Sequence, residues 1–198
     1  MFRRPSGIGR RAIVRRMSQE VIDRTTQLVN QFDARVAAAP EDAWTKPAPC
    51  EGWTARDVVA HVTNNLFRLS AGLGAGAPRE VADDEDITAA WHDARDCFLG
   101  ALGEADMSAT LPGPFGPMPA EQLIGRIIST DVLVHTWDLA RAVGGDEHLD
   151  TAAVEGAYSG LKPLDSMIRM PGVFGPKVEP PAGADTQTEF LCFLGRTV

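Results

Sequence analysis

Cysteine is scarce in this sequence, and no long apolar run is present. The cysteines are few, odd in number and widely spaced, and no CxxC pair occurs: Cys50, Cys97 and Cys192. A disulfide scaffold, a zinc ribbon and a thioredoxin-type redox pair are therefore not indicated. No apolar run approaches the roughly 20 residues needed to cross a bilayer. The sequence predicts a cytoplasmic protein without a membrane partner.

Basic residues are also scarce once the first 16 positions are set aside. Six of the 19 Lys and Arg residues precede Met17, which leaves 13 against 27 acidic residues in the rest of the chain. Because nucleic-acid binding draws on a basic face, no nucleic acid is expected as a partner of this body. We interpret residues 1–16 as an Arg-rich tail, either disordered or upstream of the true start at Met17. The tail could itself touch nucleic acid or an acidic membrane surface.

Residues 17–198 suit a single domain, and their apolar periodicity predicts an all-α bundle. Ser18 is the expected N-cap of the first helix, and Pro163 is expected to kink or break the fifth. The strongest helix ends at a Gly-Gly pair. The predicted helices span residues 18–39, 54–72, 87–102, 120–143, 151–170 and, after an irregular connector, a short segment from 185 or 186.

Two Pro-rich segments, 44–53 and 111–119, interrupt the helical pattern and predict loops, the second of them a loop or a crude hairpin. Just after the first of these, Thr54 is a plausible N-cap for the second helix. Asp57 stands three residues later, where a capping box needs a side-chain acceptor.

Asp131 and His135 are four residues apart on the strongest helix. Residues i and i+4 lie on one helical face, so a carboxylate and an imidazole point the same way, as in helical two-ligand metal sites. A surface ion pair or a hydrogen-bonded core histidine would give the same pattern.

His61 adds a third candidate ligand. It lies among Val58, Val59, Ala60 and Val62, where burying a histidine is costly unless the ring is hydrogen-bonded or bound to a metal. Two imidazoles and one carboxylate form a facial set with open positions. Such a set suits a divalent metal, with Zn²⁺ the first choice and Ni²⁺, Fe²⁺ or Mn²⁺ as alternatives. The open positions leave room for water or a substrate.

Three strings in this order resemble a known family: PAPCEGWTARDVVAHV, then DVLVHTWDLARAVG, then PGVFGP followed by FLGR. They are similar to the actinobacterial metal-binding relatives of mycothiol-dependent maleylpyruvate isomerase, in the DinB-like superfamily. The resemblance implies a DinB-like four-helix bundle with short additional C-terminal helices. It also implies His61, Asp131 and His135 as metal ligands and mycothiol as a co-substrate.

Two departures from that pattern bear on the reaction. The characterised isomerases carry an additional C-terminal domain that contributes to catalysis, and this chain is expected to lack it. Their middle ligand is a glutamate, whereas Asp131 is one methylene shorter. The resemblance therefore implies metal binding more directly than it implies isomerase activity, and no residue is assigned a catalytic role.

Several neighbouring residues have both a functional and a structural interpretation. Asp138 could orient His135 or pair with Arg141. Three Trp residues are interpreted as core and loop anchors rather than as pocket walls: Trp44, Trp53 and Trp137. Asn64 and Asn65 are interpreted as part of a solvated helix face. Cys50 is assigned to packing, and His92 and His148 are assigned to the surface.

The first functional hypothesis is a metal-dependent S-transferase or isomerase that uses a low-molecular-weight thiol and an electrophilic substrate. The alternative is a non-catalytic metal-binding or sensing module. A third hypothesis is a bundle whose histidines never bind metal. A homodimer is compatible with such bundles, although no sequence feature demonstrates one.

Overall fold

The computed structural model describes the backbone of residues 7–169 and 174–198, with side chains from residue 16 onward. Helices dominate this part of the chain, and the predicted all-α class is confirmed. The helices are α1 (Gly7–Ala38), α2 (Ala55–Gly72), α3 (Ile87–Glu104), α4 (Ala120–Gln122), α5 (Ser129–Val143), α6 (Thr151–Leu161), α7 (Asp165–Ile168) and α8 (Thr186–Phe193). Short 3-10 turns cover Glu41–Ala43 and Lys162–Leu164.

The body is a bundle in which α2 packs against α3 and α5, and α1 packs against α5 and α3. Large side chains fill the space between these helices, among them the fully buried Phe32, Leu66, Trp91, Phe98 and Trp137. The Trp91 indole N–H donates to Asp33 Oδ1 at 2.8 Å, so its polar edge is satisfied at the border of the core. The helical bundle predicted from the periodicity is therefore present, with the four long helices that the resemblance implies.

α4 and α5 are joined without a break by a π-helical segment, Leu123–Ile128. Just before it lies the crude hairpin predicted in the Pro-rich segment, with β1 (Thr110–Leu111) antiparallel to β2 (Met118–Pro119). The far end of α5 is closed by Gly144, whose positive φ of 75° allows the left-handed turn that ends the helix.

The predicted start of α2 is confirmed. The Thr54 hydroxyl accepts from the Asp57 N–H, and the Asp57 carboxylate accepts from the Thr54 N–H at 2.8 Å, which completes a capping box. This cap fixes the first turn of the helix that carries His61. Pro163 lies in the 3-10 turn that separates α6 from α7, so the predicted break there is confirmed as well.

The prediction for the start of α1 is wrong. The helix begins at Gly7, so Ser18 lies inside it and caps nothing. The run of arginines supplies no N-cap signal, and helical periodicity alone does not mark where such a helix begins. Residues 1–6 lie outside the described part of the chain, as does Met170, and the domain boundary drawn between 16 and 17 stays a prediction. Among the described helices, none has the length and apolarity required to traverse a membrane.

Candidate metal centre

The three predicted ligands meet where α2 packs against α5. His61 Nε2 lies 3.2 Å from Asp131 Oδ1, and His135 Nε2 lies 3.5 Å from the same oxygen. One donor atom from each residue falls within 4.8 Å of the other two. The i,i+4 spacing places Asp131 and His135 on one face of α5, and the contact between the helices supplies His61. The structure thus brings together the whole predicted set.

These donor distances fit what a zinc ion requires. Bonds of about 2.0–2.1 Å in tetrahedral geometry separate neighbouring ligand atoms by roughly 3.4 Å. The two distances to Asp131 Oδ1, 3.2 and 3.5 Å, bracket that value. The donor set of two imidazole nitrogens and one carboxylate oxygen also suits Zn²⁺ chemically. A metal-free hydrogen-bonded cluster would have similar spacings.

His135 is held in place from behind by Asp138. The His135 Nδ1–H donates to Asp138 Oδ2 over 2.9 Å, and the Asp138 side chain is fully buried. This bond leaves Nε2 directed at Asp131. Metal-binding imidazoles usually make such a bond from their second nitrogen to a carboxylate. The first of the two roles considered for Asp138 is therefore the one observed, since Arg141 pairs with Glu147 instead.

Arg196 completes this side of the centre and was missed by sequence reasoning. It donates to Asp138 from Nη2 at 2.8 Å and from Nε at 3.2 Å, in the forked geometry typical of arginine with a carboxylate. Its Nη2 also lies 3.4 Å from Cys50 Sγ, which itself lies 3.4 Å from Asp138 Oδ2. Cys50 therefore belongs to a polar cluster behind His135 rather than to apolar packing. The only signal for Arg196 was its place in the FLGR string.

The charges in this cluster favour an added cation. Burial raises the pKa of the Asp131 carboxyl, but the facing imidazoles, His135 before His61, outweigh burial and hold the pKa below its ordinary 3.8. Burial likewise raises the pKa of Asp138, yet His135 and Arg196 bring it down to about 2. Asp138 is paired with the Arg196 guanidinium, whereas Asp131 faces the two imidazoles. A proton on an imidazole or a metal ion would balance the charge of Asp131.

His135 responds to the same field in the opposite direction. Burial lowers the pKa of its imidazole, but Asp131 and then Asp138 outweigh burial and raise the pKa well above 6.5. Without a metal, His135 therefore holds a proton readily, and this proton supplies the missing charge. A metal ion bound at Nε2 would replace it.

Asn65 also belongs to the centre, although its sequence position suggested a solvated face. Its Nδ2 donates to Asp131 Oδ2 at 3.1 Å and lies 3.1 Å from His61 Nε2. Its Oδ1 accepts from Arg68 Nη1 at 3.0 Å, which fixes the orientation of the amide. Asn64 points elsewhere, where its Oδ1 accepts from the Val81 N–H. The i,i+4 relation between His61 and Asn65 was a usable signal.

Trp53 covers one side of the two imidazoles. Its ring centroid lies 5.1 Å from that of His61 and 5.8 Å from that of His135, with the second pair nearly parallel. Trp53 thus contacts both imidazoles while it also packs against the core, as its interpretation as an anchor expects. The same interpretation holds for Trp137, which is fully buried, and for Trp44, which packs against the core. His92 and His148 lie at the surface as predicted.

A cavity of about 590 Å³ opens beside the centre, and His61, Asn65 and Asp131 form part of its wall. Its remaining wall is built mostly from apolar side chains of α2, the hairpin, the π-helical segment and the C-terminal part of the chain. Cavities of about 300–1,000 Å³ are typical of small-molecule sites. A small molecule could therefore reach the donor atoms from this side.

Comparisons with known proteins place the chain in a family. The family model described as the mycothiol maleylpyruvate isomerase N-terminal domain matches residues 25–140, more than half of the chain. The uncharacterized protein Rv0738 of Mycobacterium tuberculosis strain H37Rv is 33% identical over 171 residues, which covers 84% of this chain and 92% of that protein. An uncharacterized protein of strain CDC 1551 matches to the same extent.

A solved structure has the same fold, although its sequence is only distantly similar. The crystal structure of the mycothiol-dependent maleylpyruvate isomerase superposes with a TM-score of 0.60 at 15% identity, covering 76% of this chain and 72% of that one. This match supports the DinB-like bundle. The family model, which covers more than half of the chain, shows that the chain belongs to the mycothiol maleylpyruvate isomerase N-terminal domain family.

Proposed function

We propose that this protein binds one divalent metal ion through His61, Asp131 and His135 and uses it in a reaction of a low-molecular-weight thiol. Zn²⁺ is the ion that the donor set fits best, and Ni²⁺, Fe²⁺ and Mn²⁺ are the alternatives. The reaction class is S-transfer to an electrophile or thiol-dependent isomerisation, with mycothiol as the thiol. One observation carries the proposal: the three donors converge beside a cavity whose wall includes His61 and Asp131, in a chain of this family.

The chain's own residues would prepare the ligand atoms. Asp138 accepts the His135 Nδ1–H, so the imidazole presents an unprotonated Nε2 once its other proton has left. Arg196 neutralises Asp138 and holds it in one orientation. When bound, the ion would supply Lewis acidity that lowers the pKa of a thiol reaching it.

The residues around the donors would restrict what approaches them. Trp53 closes one side of the imidazole pair, whereas the cavity leaves the other side open. The Asn65 amide lies on the cavity wall beside Asp131, and it would donate a hydrogen bond to a group entering there. Substrates are therefore expected to enter from the cavity.

Turnover is the direct test of the thiol chemistry. The metal-loaded protein is incubated with mycothiol and a panel of electrophiles, and thiol consumption and product formation are measured. We expect at least one electrophile to be consumed only in the presence of both metal and thiol. The His135→Ala variant should lose this activity, whereas His148→Ala, a surface control, should keep it.

Turnover and calorimetry together separate the alternative functions. Turnover that persists in His135→Ala would remove the metal centre from the mechanism. Tight metal binding measured by calorimetry, without affinity for mycothiol or any electrophile, would favour the non-catalytic metal-binding or sensing module. Cytoplasmic localisation and homodimer formation remain predictions.

A further inference from the structure

The cavity beside the centre is apolar over most of its wall, and this limits what can fill it. The lining includes Leu69, Leu111, Leu123, Ile127 and Phe174, from four separate parts of the chain. A small polar acid placed among such side chains would give up hydrogen bonds to water without replacement. The part of a ligand that enters the cavity must therefore be largely hydrocarbon.

Two arginines border this apolar space. Arg68 lies on α2, seven residues after His61, and Arg126 lies in the π-helical segment, five residues before Asp131. Both residues are exposed to water and line the cavity, and we take them to mark its mouth. Among the residues that the structure describes, Arg68 makes a long contact of 3.9 Å to Glu80 besides its bond to Asn65. Within the described residues, no ion pair engages the Arg126 side chain.

The π-helical segment explains how Arg126 reaches the cavity. Extra residues per turn in a π segment shift the positions that face a neighbour, and such segments are rare and frequently occur at functional sites. Here Leu123, Arg126, Ile127 and Ile128 all line the cavity, directly before the turn that carries Asp131. One irregular turn therefore supplies both apolar wall and a cation at the mouth.

The charge at this mouth contrasts with the rest of the molecule. The chain carries a formal net charge of −8, and anions should be repelled from most of its surface. Two arginines on the wall of one apolar cavity complement a carboxylate attached to a hydrocarbon body. Arginine suits this role because its planar fork binds a carboxylate through two hydrogen bonds.

We propose that the cavity binds a monocarboxylic acid with an unbranched or ring-containing hydrocarbon body, its carboxylate at Arg68 and Arg126 and its body in the cavity. The inference rests on the proposed function only where the body also carries an electrophilic carbon that makes the acid the substrate of the thiol. The body then lies between the cationic mouth and the donors. Seven residues of α2 separate Arg68 from His61, which is on the order of 10 Å along the helix axis.

Binding of unbranched carboxylates from butyrate to decanoate tests the proposal, with the matched primary alcohols as uncharged probes. Calorimetry is done on metal-free protein and on His135→Ala, so that no ion at the centre can capture the carboxylate. Affinity should rise by about fourfold per added methylene until the cavity is full. Octanoate should bind more tightly than octanol.

Substitutions separate the two halves of the proposed site. The double variant Arg68→Gln with Arg126→Gln should weaken octanoate binding by roughly three- to tenfold, a modest effect because exposed ion pairs are individually weak. Octanol binding should not change. Arg16→Gln, a distant exposed arginine, serves as the matched control. Ile127→Trp should weaken both ligands by filling the cavity, with circular dichroism confirming its fold.

Two results would overturn the proposal: an affinity that does not change with chain length, or equal octanoate binding in the wild type and the double arginine variant. Failure of the proposed function looks different. Carboxylates would then still bind with the expected chain-length dependence while no thiol-dependent turnover occurs.

Discussion

Replacing Asp138 by Asn tests the polar cluster behind His135. The substitution keeps the shape of the side chain and removes its charge, which leaves Arg196, only 12% exposed, without its partner. Breaking a buried ion pair by removing one member costs about 3–5 kcal/mol. We therefore expect the metal-free variant to lose about 3 kcal/mol of unfolding free energy, measured by urea denaturation.

The same substitution should weaken metal binding. An amide is a poorer acceptor for the His135 Nδ1–H than a carboxylate, and loss of such a partner typically costs 10- to 100-fold in metal affinity. Competition with a chromophoric chelator measures this loss. Asp165→Asn, which removes the partly buried ion pairs of Asp165 with Arg169 and Lys177, is the control and should change metal affinity little.

A second variant distinguishes the two effects. In Asp138→Asn combined with Arg196→Met, no unpaired guanidinium remains in the interior, so most of the lost stability should return. Metal affinity should stay low, because His135 still lacks its carboxylate. An Asp138→Asn protein with wild-type stability and wild-type metal affinity would refute the reasoning.

Three further predictions concern the metal and the residues that position the centre. Metal at about 1,000 times its Kd should stabilise the protein by about 4 kcal/mol, so removal of that metal with EDTA should lower the unfolding free energy by this amount. Thermal denaturation measures the loss, which adding Zn²⁺ should reverse. Thr54→Ala should cost about 1 kcal/mol in urea denaturation by removing the α2 cap, whereas Thr151→Ala, inside α6, should cost less. Asn65→Leu should keep the metal but slow thiol-dependent turnover; unchanged turnover would exclude the proposed hydrogen bond to an entering group.

Much of the centre could be predicted because its geometry is local. The i,i+4 spacing of Asp131 and His135 requires only a helix, and the glycines after α5 show where that helix ends. His61 stood out because it interrupts an apolar turn. The capping box of Thr54 and Asp57 likewise depends on residues three positions apart, and the structure contains it as predicted.

The residues that sequence reasoning missed act over long separations. Arg196 reaches Asp138 across 58 positions, and Cys50 lies 88 positions from the same carboxylate. No periodicity or spacing reports such contacts, because they depend on how α8 and the loop before α2 pack onto α5. The contact between Trp53 and the His135 imidazole was not predicted for the same reason. The start of α1 was misplaced because helical periodicity alone does not mark where a helix begins.

The metal content of the protein tests the central claim most directly. Protein purified without a His-tag is analysed by inductively coupled plasma mass spectrometry, alongside His135→Ala and the surface control His148→Ala. The account predicts close to one divalent ion per chain in the wild type and in His148→Ala, and almost none in His135→Ala. A wild-type content near zero, unchanged after incubation with Zn²⁺, would contradict it.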